Sequence, residues 1–431
     1  MTFQALPGFR DFAPEDLAFR NHILAAWRRV ARRYGFEEYD GPPLEPLELY
    51  TAKSGEEIVG QLFDFTDKGG RHVTLRPEMT PTFARMVSAR ANGLRKPIRW
   101  FSVPQLFRYE KQQRGRLREH FQLNCDLVGE AGPLADAEVI ALAIDVCREL
   151  GLTAADFRVR LSDRRVIQAL LVGAGLDPAH HPAALGVVDK LERLDPEARD
   201  RAFAGAGLMD YIDAVVDMAV VRSWDQLEDL AERYRVDVSA TELRQVHDAL
   251  GEMGLYEFVE VDLSIVRGLA YYTGTVFELF DRQGKMRAIC GGGRYDTLLQ
   301  SLGGVDLPSV GFGMGDVVLG ELLKDRGLRP AAAAGTEVMV AAVTAEDLPA
   351  TLGLAHELRD AGLAAEYAMN GVALGKQLRQ ADARGARLAV VIGPDDRATG
   401  MVQVKDLHEK TQVAVARDAV VAHCTATLGT S

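Results

Sequence analysis

Residues 107–129 read FRYEKQQRGRLREHFQLNCDLVG, and at period two they sort into two faces. Arg108 and Glu110 share one side of a first short strand. On a second, Arg118, His120, Gln122, Asn124 and Asp126 share one side, and Phe121, Leu123, Cys125 and Leu127 the other. Strict alternation marks a strand with one buried and one polar face. Between them, residues 111–116 are polar and carry Gly115, where the chain can reverse. The spacing predicts a hairpin whose polar platform gathers arginines, carboxylates, amides and a histidine. A face kept polar only for solubility has no need of that mixture. Guanidinium forks match phosphate oxygens, and carboxylates and amides match an amine or a ring N–H. The platform therefore reads as a binding floor for a ligand with both phosphate and polar base edges.

Outward from the hairpin, residues 15–34 read as an amphipathic helix with Leu17, Ile23, Leu24, Trp27, Val30 and Ala31 on one side. Residues 63–75 form a second hairpin with Gly69-Gly70 at its turn, followed by RPEMTP and a helix to about Ala91. Glu78 and Thr80, two apart at a strand-to-helix junction, can point into one pocket. Thr80 before Pro81 also suits an N-cap, and for Thr80 alone capping is the favoured reading. A helix is expected over 133–150, and an inserted, mainly helical lobe over 153–260. Strands return from Phe258, with a return strand over 286–290 ending in Gly291-Gly292-Gly293, where a bulge or close approach to a ligand fits. Gly311, Gly313 and Gly315 lead into a helix near Asp316, whose free N–H groups suit an anion. Residues 328–335 read as a linker. Strand and helix then alternate over 336–431, as in a small α/β domain on a mostly parallel sheet.

A chain of 431 residues, 47% hydrophobic and 26% charged, has room for two or three domains with large cores. No run of about 18 apolar residues is present, which excludes a spanning helix. The first residues lack the order of a secretory signal. Four cysteines lie far apart with no CxxC pair, so neither a zinc site nor a disulfide framework is expected. A cytoplasmic protein is the expectation. A net charge of −12 argues against indiscriminate coating of nucleic acid, though not against one RNA held by a local patch. Lys376, Arg379 and Arg384 are candidates for that patch.

GFRDFAPED (8–16), LRPEMT (75–80), FRYEKQQRGRLREHFQ (107–122), VRGLAYYTGTVFE (266–278), CGGGRYD (290–296) and KQLRQADARGARLAVVIG (376–393) together resemble the class II aminoacyl-tRNA synthetases, and among them the histidyl-tRNA synthetase family. The likeness covers essentially the whole chain. It implies an α+β fold: an antiparallel sheet core (1–152 and 261–327), an inserted helical domain (153–260) and a C-terminal α/β anticodon-binding domain (336–431). It also implies a homodimer with helix 15–34 and the strand around Pro42 at the interface. The implied reaction joins L-histidine to tRNA(His) through a histidyl-adenylate, using ATP and Mg²⁺.

The same resemblance implies residue roles. Arg108 and Arg267 are the catalytic cations at the α-phosphate. Glu110 holds the adenine amino group, with Arg116, Arg118, His120, Gly313 and Gly315 also around ATP. Glu78 and Thr80 receive the α-ammonium of histidine, with Gln122 nearby. Asp126, Tyr272 and Tyr295 bond or flank the imidazole, and Tyr271 belongs to the same histidine pocket. Three positions depart from the family pattern: Asp316-Val317-Val318 stands where a glutamate-arginine pair is usual, His120 where an aromatic is common, and Ala270 where an aspartate is. Arg116, Arg118 or Mg²⁺ are the alternatives for neutralising the tail of ATP. A second reading is a non-aminoacylating, histidine-binding regulatory subunit of ATP phosphoribosyltransferase. Such a subunit lacks the anticodon domain and loses phosphate-binding arginines, whereas this sequence keeps Arg108, Arg267 and residues 336–422.

Overall fold

The alternation at 119–128 is realised as a ten-residue strand, β7 (Glu119–Val128). In the computed structural model, which describes residues 3–51, 60–111, 115–192, 194–267, 271–330 and 335–429, the chain divides into two units, Met1–Pro330 and Ala331–Ser431. Within the first, β7 pairs antiparallel with β5 (Ile98–Ser102), β6 (Gln105–Phe107) and β12 (Ser309–Gly315). With β1 (Glu37–Glu38), β8 (Phe157–Asp163), β9 (Val259–Val261), β10 (Thr275–Asp281) and β11 (Cys290–Arg294) these make a nine-stranded sheet. Its order is β1-β5-β7-β12-β11-β10-β8-β9, with β6 also on β7. Pairing is antiparallel except at β1/β5 and β8/β9. The 63–75 hairpin is present as β3 (Phe63–Thr66) and β4 (His72–Leu75), extended by β2 (Leu44–Pro46).

Helix α1 (Pro14–Arg33) opens on a proline with Glu15 and Asp16 in its first turn and closes with Arg32 and Arg33, as its dipole favours. It buries Phe19, Ile23, Trp27, Val30 and Ala31, which join one apolar core with α3 (Pro133–Glu149) and the inner face of β7. α2 (Thr80–Ser88) and α10 (Leu298–Gly303) cover a smaller cluster around Phe83 and Tyr295. Arg294, 1% exposed, donates to Asp136 in the first turn of α3 and to the carbonyls of Glu130 and Gly132. It ties β11 to that helix.

Three expectations need correction. The helical segment begins at α4 (Arg164–Gly173) and runs to α9 (Glu242–Glu252), not from residue 153 to 260, because β8 and β9 are strands of the sheet. The charges that suggested helix are cross-strand pairs: Arg158 meets Glu260 at 3.0 Å and Arg160 meets Asp262 at 3.3 Å, while Phe157, Val159 and Leu161 are buried. Second, the strand expected at 286–290 starts only at Cys290, so the triple glycine lies inside β11 rather than at its end. Third, Thr80 makes no cap; it is the first residue of α2 and Met79 precedes it without a side-chain cap bond. Gln112, Gln113, Arg114, the segment 268–270 that includes Ala270, and residues 331–334 of the expected linker lie outside the described residues.

In the second unit, β13 (Val338–Ala342), β14 (Ala365–Tyr367), β15 (Leu388–Ile392), β16 (Met401–Asp406) and β17 (Thr411–Ala416) form a sheet in the order β14-β13-β15-β16-β17. β13 pairs parallel with β14 and β15, but β15/β16 and β16/β17 are antiparallel, so the sheet is mixed. α12 (Leu348–Asp360) and α13 (Leu374–Ala383) carry the connections. On α13, Lys376 and Arg379 are exposed, and just beyond it Arg384 pairs with Glu366.

The N-terminal GFRDF run locks the sheet to α11 (Asp316–Asp325). Arg10 donates from Nε to Glu119 at 2.6 Å and from Nη1 to Asp316 at 2.9 Å. Asp316 also accepts from the Phe121 N–H at 2.9 Å. Burial raises the Asp316 carboxyl, and Arg10 opposes the rise. Removing Arg10 leaves two buried carboxylates uncompensated. Arg10→Ala is expected to lose roughly 2–4 kcal/mol of stability, discounted because the arginine side chain is 24% exposed. A raised carboxyl favours the folded state at low pH and loses that contribution as pH rises. Urea unfolding should therefore show a larger deficit at about pH 8 than at about pH 4.

Candidate active site

Two cavities open on the polar face of β7. The larger, of about 690 Å³, has Arg108, Glu110, Arg116, His120, Gly315 and Val318 among its lining residues. The smaller, of about 130 Å³, is lined by Glu78, Thr80, Asp126, Tyr271, Tyr272 and Tyr295, among others. Arg108, Gln122, Arg267, Gly291 and Gly313 line both. The two arginines, far apart in sequence, thus stand at a shared boundary.

Arg108 follows β6, and its N–H donates to Arg118 O at 2.9 Å, continuing the hairpin beyond the strand. Its Nε donates to Pro77 O at 2.9 Å, which joins the hairpin to the RPEMT turn. Arg76 holds that turn in place, donating to Asp40 and to the carbonyls of Gly41 and Gln105. Arg267 arrives from the opposite side. Its φ is 57°, in the left-handed region that side chains other than glycine's avoid, at a cost of about 1–3 kcal/mol. Arg164, at the first position of α4, donates to the carbonyls of Val266, Arg267 and Tyr272 at 2.9, 2.6 and 2.9 Å and pins that backbone. Glu278 on β10 pairs with the Arg267 guanidinium. Burial lowers the pKa of that guanidinium, but Tyr272 and Glu278 outweigh it and the net direction is up.

The small cavity holds acids in an apolar wall. Glu78 is buried, its carboxyl raised by burial and held back by Arg108 and a hydrogen bond with Tyr271. Its Oε1 has no partner among the described residues. That is the acceptor an ammonium would meet. Asp126 accepts from the Tyr295 hydroxyl, and burial pushes its carboxyl up to about 7. Tyr271 hydrogen-bonds Thr80, and its ring lies edge-on to that of Tyr295 at 5.9 Å.

The glycines explain themselves here. On the β11–β12 ladder Gly291 faces Gly313 and Gly293 faces Gly311. A Cβ at Gly291 would lie 2.6 Å from Arg267 Cζ, one at Gly313 2.8 Å from Gln122 Cδ, and one at Gly311 would collide with Asp126. The missing side chains leave room for the site's own groups.

Of the residues expected around a nucleotide, most line the large cavity. Glu110 pairs with Arg116. Burial, then Arg108 and Arg10, push His120 down to about 3, so the ring is neutral and suited to stacking. Arg118 lines neither cavity; its guanidinium lies 4.3 Å over the Tyr109 ring and its Nε donates to Glu110 O, so it supports the loop instead. Sequence reasoning missed Arg164 and Glu278. Only the second carried a signal, as the acid ending the VRGLAYYTGTVFE run.

Residues 8–315 match the family model described as Histidyl-tRNA synthetase, and 337–427 the one described as Anticodon binding domain. The chain belongs to the histidyl-tRNA synthetase family. A histidine–tRNA ligase of Opitutus terrae is 47% identical over 426 residues, covering 98% of each chain. Another, of Natronomonas pharaonis, is 41% identical over 418 residues, covering 96% of each. The fold is also that of a crystallised histidyl-tRNA synthetase of Nostoc, with a TM-score of 0.82 over 99% of this chain and 100% of that one, at 24% identity. The family's active sites are bound to differ in detail from this one, because Val317 and Val318 line the large cavity where the pattern carries a glutamate-arginine pair.

Two outcomes follow from the geometry. Gly291→Ala displaces the tip of a side chain rather than backbone, so it should leave the thermal midpoint nearly unchanged and cut activity about 10²-fold through a misplaced Arg267. Equal loss of stability and activity would contradict this. Asp126 is raised in the folded state, so its protonated form stabilises the fold at low pH, and that contribution is lost as pH rises through about 7. Asp126→Asn cannot ionise. It should exceed the parent by roughly 1–4 kcal/mol in urea unfolding at about pH 8 and match it at about pH 4.

Proposed function

We propose that this chain joins L-histidine to tRNA(His) in two steps, with the small cavity holding histidine and the large one ATP. The observation that carries the reading is the shared boundary: Arg108 and Arg267 line both cavities, where a carboxylate from one side would meet a phosphorus from the other. In the first step the histidine carboxylate attacks the α-phosphorus, its oxygen–phosphorus bond forms, and the bond to pyrophosphate breaks. Negative charge builds between two anionic reactants. A preorganised cation at that point lowers the barrier by about 2.7–4 kcal/mol if it behaves like an oxyanion-hole donor. In the second step the 3′-terminal ribose hydroxyl of the tRNA attacks the carbonyl and AMP leaves.

The pocket selects its amino acid by pairing. Glu78 offers an unpartnered oxygen to the α-ammonium beside Thr80, with Gln122 close by. Asp126, already bonded by Tyr295, accepts from an imidazole N–H, with Tyr272 and Tyr271 as walls. A site built to pair with such a group rejects a side chain lacking it by ~10⁴–10⁵. Across the boundary, Glu110 accepts from the adenine amino group, His120 stacks, and Gly313 and Gly315 let the nucleotide lie against β12.

Among the described residues no cluster of three or more His, Cys, Asp or Glu could hold a metal. The protein thus offers no cage for Mg²⁺, and no step is routed through that ion. Residues 337–427 would read the anticodon, with the exposed Lys376 and Arg379 in reach of phosphate. The reading includes a cytoplasmic homodimer. Because α1 buries its apolar face in its own chain, a partner would meet the opposite face. No helix among the described residues is long and apolar enough to cross a membrane. The regulatory-subunit reading is the weaker one, since both arginines and the second unit are present.

Histidine-dependent ATP–pyrophosphate exchange tests the reading, and a purified protein showing none would overturn it. Arg267→Ala should slow single-turnover adenylate formation about 10²–10³-fold while changing histidine affinity far less. Equal losses in rate and affinity would remove Arg267 from the reacting centre.

A further inference from the structure

The large cavity has a charge balance that its known partners do not complete. Four carboxylates line it, and each is already engaged. Glu110 is paired with Arg116 and Glu278 with Arg267. Glu192 is held by Arg160 at 3.3 Å and Arg222 at 2.5 Å. Asp281 accepts from Arg326 at 2.9 Å and from the N–H groups of Gln283 and Lys285. Two guanidinium groups on the wall remain without a carboxylate at ion-pair distance among the described residues. One is Arg108, which belongs to both cavities. The other is Arg287, which lines the large cavity only, is exposed, and has no hydrogen-bond or ion-pair partner among the described residues.

Arg287 lies on the irregular connection between β10 and β11. Two residues on, Ile289 is fixed at both sides: its N–H donates to Leu279 O at 2.8 Å, and its carbonyl accepts from Gly315 N–H at 3.4 Å. The connection therefore runs beside the entry to α11. That helix presents only Val317 and Val318 to the cavity, and neither can neutralise an anion. The first-turn acid Asp316 is turned away, bonded to Arg10 and the Phe121 N–H. A nucleotide whose α-phosphorus sits at the Arg108–Arg267 boundary still carries two further phosphates into the larger cavity. Those phosphates meet an apolar helix entry on one side and an unengaged guanidinium on the other.

We infer that Arg287 is the positioning cation for the β- and γ-phosphates of ATP, occupying functionally the place left open by Val318. The inference rests on the ATP reading of the large cavity. Arg287 does not touch the reacting phosphorus; it holds the leaving pyrophosphate, so the attack and departure lie in line. It separates from the alternatives left by sequence alone, because Arg116 is engaged by Glu110 and Arg118 lines neither cavity.

Equilibrium binding of ATP and of AMP to the full chain, together with histidine-dependent pyrophosphate exchange, tests it. Arg287→Ala should weaken ATP binding and raise the KM for ATP by roughly 10- to 100-fold, as loss of a charged hydrogen bond does, with AMP affinity and the KM for histidine unchanged. Arg287→Lys should retain part of the effect, as a point charge in place of a fork. Adding Val318→Arg to Arg287→Ala should recover ATP affinity. ATP affinity within about twofold of the parent, or AMP weakened as much as ATP, would overturn the assignment while leaving the function intact. A parent protein that neither binds ATP nor exchanges pyrophosphate would sink both, which keeps the two failures apart.

Discussion

Three separate parts of the chain hold the guanidinium of Arg267, and the site depends on their agreement. Its backbone sits at φ 57°, a conformation that a long side chain does not adopt unaided. Arg164 compensates with three bonds to carbonyls around it, and Glu278 fixes the guanidinium end. Gly291 leaves the volume into which the side chain folds. Strain of this kind persists only where the surroundings over-determine it. Here they come from the first turn of the helical segment, from β10 and from β11. The helical segment is therefore coupled to the centre through a single arginine.

The acids of the small cavity show the same logic with the opposite sign. Glu78 and Asp126 are both raised by burial, which disfavours their charged forms in the empty protein. A cationic ammonium and a ring N–H supply what the empty pocket lacks. Stability given up in the free protein is returned when the ligand pairs, and the same buried groups penalise a ligand that cannot pair.

Much of this was legible in the sequence because it rests on period and on turn chemistry. The two-faced β7, the 63–75 hairpin, α1 and the strand–helix order of the second unit all follow from residue spacing. Glu78, Gln122, Asp126, Arg108 and Arg267 were each nameable, and the fold brings them around one boundary. What spacing hid was tertiary. β8 reads as charged helix because its arginines find acids on β9 across 100 residues of chain. Thr80 reads as a cap because proline follows it, yet it serves Tyr271 instead. Arg118 shares the polar face of its strand and still turns away, drawn over Tyr109. Arg164 and Arg10 carry no local signal at all, since their partners lie about 100 and 300 residues distant.

One distance decides most. A crystal structure with L-histidine and a non-hydrolysable ATP analogue is expected to place both Arg108 and Arg267 within about 3.2 Å of α-phosphate oxygens, with the histidine carboxylate on the facing side. An α-phosphate more than about 6 Å from either guanidinium, with the nucleotide bound elsewhere, would contradict the account.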